Sequence, residues 1–359
     1  MAVAHRLPAE LLIKIFYYLI RDFRTWKQYP DLMSLRFTLG AVCSRWRSIA
    51  LSMAALWASI SIGGAHENVE SYPASLDLFK LHLERSGSTA LLVIRFFECP
   101  QALLEQLWAA LDPHFSRIRS MNIITINNDF SHLLPIPRGL KLETLTYAKK
   151  ARYVRRLEFE FDLLENALDA PSLRNLDVEN ISWKALSSIP LEQLRSLRLS
   201  LPTTLTAMPV IHWRRVFEIL HQCVSLIELH ANLVGSVIEG IPAETIDLPN
   251  LERLTTYHPE LPSHLRTPKL EVLYTLKGGA ACDPQQPLPC LTMYVAKEGL
   301  DNLEQWRMPD SFAAVQHLHF ERCSRSVLMH IFRKLVQNNA LDGVHLTSFP
   351  HLHTLSLSD

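Results

Sequence analysis

The sequence predicts a mixed fold of helices and strands (α+β or α/β), with a small helical module at the N-terminus and a long array of short strands behind it. Three observations predict this organisation. The first sixty-odd residues carry apolar side chains at helical spacing, and the remainder repeats a short apolar pattern. A chain of 359 residues is also longer than one compact core usually requires.

Composition and charge argue against several classes of function. Basic and acidic residues balance at 36 each, so no net field draws the chain to nucleic acid or to an anionic membrane. No apolar stretch approaches the length that spans a bilayer, and no glycine-rich phosphate-binding loop occurs. The six cysteines form no C-x-x-C pair, and a signal peptide is not expected. We therefore expect a cytoplasmic and/or nuclear protein.

The N-terminal module is predicted to consist of three helices. The first begins at Leu7-Pro8, because proline suits the first turn of a helix, and the polar segment from Asp22 to Pro30 is predicted to be a loop. A second helix is expected from about Asp31 to Cys43, and a third follows it. The apolar positions that define the module are Leu11, Leu12, Ile15, Phe16, Leu19, Leu32, Leu35, Leu39, Val42, Trp46, Ile49, Ala50, Leu56, Trp57 and Ile60. Gly63-Gly64 ends the pattern.

The order of these motifs resembles the F-box family: Leu-Pro-x-Glu-Leu-Leu, Ile-Phe-x-x-Leu, Val-Cys-x-x-Trp-x-x-Ile-Ala and then Leu-Trp-x-x-Ile. The resemblance implies an F-box module over residues 1–62 that docks onto a Skp-type adaptor and, through it, a cullin complex. It also implies which residues form the docking surface or support it directly. They are Leu7, Pro8, Leu11, Leu12, Ile15, Phe16, Leu19, Val42, Cys43, Trp46 and Trp57.

Residues 63–89 are predicted to link this module to the rest of the chain. Ser75–Arg85 has the apolar spacing of a short helix, and Ser86-Gly87 is a typical helix stop. The linker is therefore expected to be largely helical.

Residues 90–359 repeat the pattern apolar-x-x-apolar-x-apolar, with most copies about 19 to 32 residues apart, which brackets the period of leucine-rich repeats. A stricter form, Pro-x-Leu-x-x-Leu, occurs at Pro171, Pro249, Pro268 and Pro350, whereas composition predicts well under one occurrence. Each copy predicts a short strand entered through a turn that proline stiffens. This part is thus predicted to be an irregular leucine-rich-repeat solenoid, similar to the arrays of fungal-type F-box proteins; an unrelated α/β domain is the alternative.

Residues between the inward-facing ones are expected to line one face of the strands, the surface on which repeat proteins hold partners. This row is a weak prediction of a target-binding surface, since a merely solvated face would look the same. Its members are Arg156, Glu158, Asn175, Asp177, Arg198, Glu228, His230, Arg253, Tyr274, His317 and His319.

The sequence predicts neither a catalytic site nor a metal or other cofactor. His317/His319 and His351/His353 are spaced to share a strand face, but no third ligand accompanies either pair. We expect a non-catalytic substrate-recognition subunit of a ubiquitin ligase, binding an adaptor at one end and an unidentified target protein at the other. Two alternatives stay open: an interaction scaffold that promotes no ubiquitination, and an enzyme with a cryptic site in the C-terminal region.

Overall fold

The computed structural model describes residues 7–25, 32–63, 72–126, 141–150, 170–179, 186, 189–200, 211–232, 238–239, 245–256, 258, 261–275, 291–296, 315–321 and 354–358. The chain divides into two compact units. The first comprises Met1–Tyr153 and Phe161–Ser172, and the second comprises Val154–Glu160 and Leu173–Asp359. The predicted boundaries at residues 62 and 89 both fall inside the first unit, and the division that they imply stays a prediction.

The first unit opens with four helices: α1 (Ala9–Thr25), α2 (Leu32–Val42), α3 (Ser44–Ser52) and the single turn α4 (Ala54–Trp57). Pro8 starts α1, and its carbonyl accepts hydrogen bonds from the amides of Leu11 and Leu12. The loop predicted from Asp22 is wrong over its first residues, because α1 continues to Thr25. No glycine or proline interrupts residues 21–25, so nothing in the sequence stops the helix there.

These four helices share one small core. Its members are Leu12, Phe16, Leu35, Leu39, Ile49, Ala50, Leu56 and Trp57. Phe16 meets the partly buried Trp46 edge to face, with ring centroids 5.2 Å apart. The Trp57 indole nitrogen donates a 2.8 Å hydrogen bond to the Ala50 carbonyl, which ties α4 to the end of α3.

Helix α5 (Tyr72–Arg85) follows, as predicted, and ends at Ser86-Gly87. Gly87 has φ of +65°, a left-handed conformation that ends helices at little cost in glycine. Arg117, which is buried, donates hydrogen bonds to the Leu83 carbonyl at 3.3 Å and the Ser86 hydroxyl at 3.0 Å. This arginine therefore fixes the C-terminal end of α5.

The sheet of the first unit is parallel. Its strands lie in the order β1 (Ser59–Gly63), β2 (Leu92–Phe97), β3 (Ile118–Ile126) and β4 (Thr144–Lys150). Helix α6 (Gln101–Leu111) and a 3₁₀ turn (Asp112–Arg117) connect β2 to β3. Ile60, predicted to close the N-terminal module, lies in strand β1.

The second unit is likewise built on parallel strands. Its strands lie in the order β5 (Asn175–Glu179), β6 (Ser196–Ser200), β8 (Glu228–Asn232), β11 (Arg253–Thr256), β13 (Val272–Thr275), β14 (Leu291–Ala296), β15 (Val315–Glu321) and β16 (Thr354–Ser358). Two short parallel pairs accompany it: β7 (Ile211–His212) with β9 (Ile238–Glu239), and β10 (Ile246–Asp247) with β12 (Leu265–Arg266). Helix α7 (Trp213–Leu220) precedes β8, and a 3₁₀ turn (Leu261–His264) precedes β12.

The proline-containing pattern marks turns that lead into strands, as predicted. Pro171, Pro249 and Pro268 each lie in a turn, and a buried leucine follows two residues later. The strands β5, β11 and β13 begin within four residues of these prolines. Pro350 lies outside the described residues. The mixture of helices and strands is confirmed.

Candidate functional site

Helix α1 presents an unusual amount of apolar side chain to solvent. Leu12 and Phe16 have no exposed surface, and their burial orients the helix on the core. Large apolar residues flank this buried stripe on both sides: Leu11, Ile13, Ile15, Tyr17 and Tyr18 are 39 to 61% exposed. In the first three turns, Glu10 and Lys14 alone carry charge. Contiguous exposed apolar surface of this kind marks a protein-interaction site.

The helical period separates the exposed residues of α1 into two strips. Leu11, Ile15 and Tyr18 are spaced by four and three residues and share one side of the helix. Ile13 and Tyr17 share the other. Further exposed apolar residues on the helices of this module are Phe37 and Val42 on α2 and Leu51 on α3.

The predicted adaptor-contact residues occupy three kinds of position. Pro8, Leu11, Ile15 and Val42 are exposed; Leu7, Leu19, Cys43 and Trp46 are half-buried; Leu12, Phe16 and Trp57 belong to the core. The exposed group is available to a partner directly, whereas the core group supports that surface from beneath.

The predicted set of contact residues leaves out Ile13, Tyr17, Tyr18, Phe37 and Leu51, all of which are exposed. The sequence indicates the exposure of Ile13, Tyr17 and Tyr18, because α1 is apolar around most of its circumference. One buried stripe cannot accommodate that many apolar side chains. Phe37 and Leu51 carry no comparable signal, since apolar residues on amphipathic helices are normally buried.

The strands of the second unit bring most of the predicted target-binding residues onto one sheet face. Asp177, Arg198, His230, Thr255 and Tyr274 are in register on neighbouring parallel strands. A second row on the same face, two residues earlier in each strand, runs Asn175, Ser196, Glu228 and Arg253. Arg156 and Glu158 lie outside the described residues.

Charges on this face are paired across the strands. The Arg198 Nε lies 3.9 Å from the Asp177 Oδ1, and the Arg253 guanidinium lies 3.4 Å from the Glu228 Oε2. Burial raises the pKa of Asp177, and the positive charge of Arg198 opposes that rise. Burial and the same arginine lower the pKa of His230 to about 4, so this imidazole is neutral at neutral pH. The face thus offers oriented hydrogen-bonding groups with little net charge.

His317 and His319 share one face of β15, as predicted. They lie opposite Thr354 and Ser356, and the His319 Nδ1 is 2.6 Å from the Ser356 hydroxyl. His351 and His353 lie outside the described residues. In the part of the chain that the structure describes, no group of three histidine, cysteine or acidic residues is placed to hold a metal ion.

Cysteines are the obvious nucleophiles to consider, and two of them are deeply buried. Burial raises the pKa of Cys99 and of Cys223 to about 12, which keeps both thiols protonated at neutral pH. Neither is therefore an activated nucleophile. Among the described helices, none is long and apolar enough to cross a membrane.

The comparison with family models matches residues 4–63 to the F-box-like domain. These residues form an F-box-like domain. The match covers the helices α1 to α4 and β1, which is about a sixth of the chain. No curated protein matches the chain.

The F-box-like domain contains every residue predicted to contact or support an adaptor. F-box domains bind Skp-type adaptors in general, and they are typically non-catalytic components that suggest a role as substrate adaptor in a ligase of the Skp–cullin–F-box type. The exposed apolar strips of α1 therefore lie within a domain whose general function is protein docking.

Proposed function

We propose that this chain is the substrate-recognition subunit of a Skp–cullin–F-box ubiquitin ligase. The observation that carries the proposal is an F-box-like domain whose first helix leaves its apolar flanks exposed. The chain would supply proximity and orientation, while a separately bound conjugating enzyme supplies the chemistry. The chain would act in the cytoplasm and/or the nucleus.

The adaptor would dock on the side of α1 that carries Leu11 and Ile15. These residues are 44% and 39% exposed, so covering them removes apolar surface from water at roughly 25 cal/mol per Å². Pro8 and Val42 are exposed on the same module and would extend the contact. Leu12, Phe16 and Trp57 would act from beneath, by holding α1 rigidly on the core.

The second unit would form an irregular leucine-rich-repeat solenoid that holds the target. Its support is the parallel order of the strands, their proline-containing turns and the period of 19 residues between β11 and β13. The target would bind across the polar rows that contain Asp177, Arg198 and His230. The adaptor would in turn connect the chain to a cullin complex.

The test is co-purification of the full chain with a Skp-type adaptor, using the wild type and a Leu11→Asp/Ile15→Asp variant. Two carboxylates buried in an apolar interface without partners cost several kcal/mol, so the variant should lose at least about a hundredfold in affinity. Both positions are solvent-exposed in the chain alone, so the variant should fold. Near-equal thermal unfolding temperatures would check that.

Lys14→Asp is the matched control. It changes the net charge by the same two units on the same helix, but at an exposed charged position. It should keep adaptor binding. The proposal is contradicted if the folded wild type binds no Skp-type adaptor, or if Lys14→Asp weakens binding as much as the double variant.

A further inference from the structure

A recess opens in the first unit where α2, α3 and Trp57 face α5. Its volume is about 420 Å³, within the range of pockets that bind small molecules. The walls are mainly apolar and include Ala50, Leu78 and Leu81. Phe37 and Leu51, which are 68% and 42% exposed, stand at its edge.

Gly40 keeps part of this recess empty. A Cβ built on Gly40 would meet only the Cγ of Arg47, at 4.0 Å, so no neighbouring group requires a glycine there. Glycine inside a helix is less favourable than alanine. The backbone conformation therefore does not require glycine at position 40, and the missing side chain leaves room in the recess.

The charged groups of the recess are cationic. Arg36, Arg47 and Arg85 line it, and the described lining includes no acidic residue. Arg36 is 6% exposed and is fixed by hydrogen bonds to the Leu56 carbonyl at 2.9 Å, to the Ser59 carbonyl, and to His82 at 2.9 Å. His82 is neutral, since burial and then the charges of Arg36 and Arg85 lower its pKa to about 3.

Two of the guanidinium groups remain available to a ligand. Arg85 stacks over the Trp57 ring, with its Cζ 4.5 Å from the ring centroid. Arg47 uses its Nε to donate a 2.8 Å hydrogen bond to the Gly40 carbonyl. Neither of them forms an ion pair with an acidic residue in the described ranges.

We propose that this recess binds a small organic acid that has an apolar body and one carboxylate. The apolar walls would take the body, while Arg47 and Arg85 take the carboxylate, which matches the guanidinium fork. A singly charged group suits these walls better than a doubly charged one, because moving each charge out of water costs free energy that new contacts must offset. This site is additional to adaptor docking and does not depend on it.

Titration calorimetry of the full chain with octanoate, 1-octanol and octylammonium tests the proposal, since the three share a body and differ in charge. Octanoate should bind at least about tenfold more tightly than 1-octanol, because its carboxylate accepts charge-assisted hydrogen bonds from the arginines. Octylammonium should not bind, because its charge has the same sign as the guanidinium groups. Arg85→Gln and Arg47→Gln should each weaken octanoate about tenfold. Arg214→Gln, which removes an exposed arginine from the second unit, should leave it unchanged.

Gly40→Leu provides a second test that leaves every charge in place. The leucine side chain would occupy the recess and should abolish octanoate binding, while Gly40→Ala should keep it. Both substitutions favour the helix, so loss of folding is not expected. The proposal is overturned if octylammonium binds as well as octanoate, or if Gly40→Leu leaves octanoate binding intact. It is also overturned if octanoate does not bind the wild type. If Gly40→Leu then abolishes co-purification with the adaptor, the recess is part of a protein interface.

Discussion

At the scale of single residues, the contact between the F-box-like domain and α5 depends on one buried histidine. Arg36 donates to a ring nitrogen of His82, and arginine cannot accept, so His82 must be the unprotonated acceptor. The His82 ring also packs against Trp57, with ring centroids 5.3 Å apart. A proton on His82 would therefore place a second positive charge next to the buried guanidinium of Arg36.

Acidification should destabilise the chain through His82. The pKa of His82 falls from an ordinary 6.5 to about 3 in the folded protein. At a pH between these two values, His82 is protonated in the unfolded chain and neutral in the folded one, so lowering the pH favours unfolding. The free energy of unfolding should drop by about 2 kcal/mol from this residue between pH 7 and pH 5. Urea unfolding of the wild type and of His82→Gln at both pH values measures it, because glutamine can still accept from Arg36. His230 adds the same pH dependence to both proteins, so only the difference between them reports on His82. An equal pH dependence in the two proteins would contradict the role of His82.

At the scale of elements, periodicity in the sequence predicts the long helices and the leucine-marked strands well. It does not single out β1 and β4. Trp57/Ile60/Ile62 and Leu142/Leu145/Tyr147 carry the same apolar spacing, but neither strand follows a Pro-x-Leu turn that would separate it from chance matches. It places Leu11 and Leu12 alike in an apolar stripe, although the structure buries one and exposes the other. Which face of an apolar helix meets the core depends on partners distant in sequence, and that information is not local.

Two glycines show how the element decides the effect of a substitution. Gly40 in α2 has room for a Cβ, so Gly40→Ala should stabilise the chain by about 0.5–1 kcal/mol through helix propensity. Gly63 pairs in register with Phe97, and a Cβ there would overlap the Phe97 backbone carbonyl and Cβ. Gly63→Ala should therefore destabilise by about 1–3 kcal/mol. Thermal unfolding should move in opposite directions for the two variants, and a shift of the same sign in both would show that β1 adjusts freely.

At the scale of the whole molecule, the proposed function requires two surfaces that work independently. The proposed adaptor surface lies on α1 in the first unit, and the proposed target surface lies on the β5–β6–β8 face in the second. The first is apolar and unpaired, whereas the second is polar with charges already paired across the strands. Substitutions in one surface should therefore leave binding at the other unchanged.

Separation of the two activities can be measured in a reconstituted ligase and in cells. Leu11→Asp/Ile15→Asp should abolish ubiquitin transfer to the chain's own lysines, because the chain no longer reaches the adaptor. Arg198→Gln/Arg253→Gln should keep that transfer, since both arginines are about half exposed and the loss of each ion pair costs no more than about 1 kcal/mol. In cells, proteins whose abundance falls when the wild-type chain is expressed should be spared by both variants. If the second variant depletes the same proteins as the wild type, the target binds elsewhere than on this sheet face. If the wild type binds the adaptor and depletes nothing, the chain is an interaction scaffold and the ligase proposal is wrong.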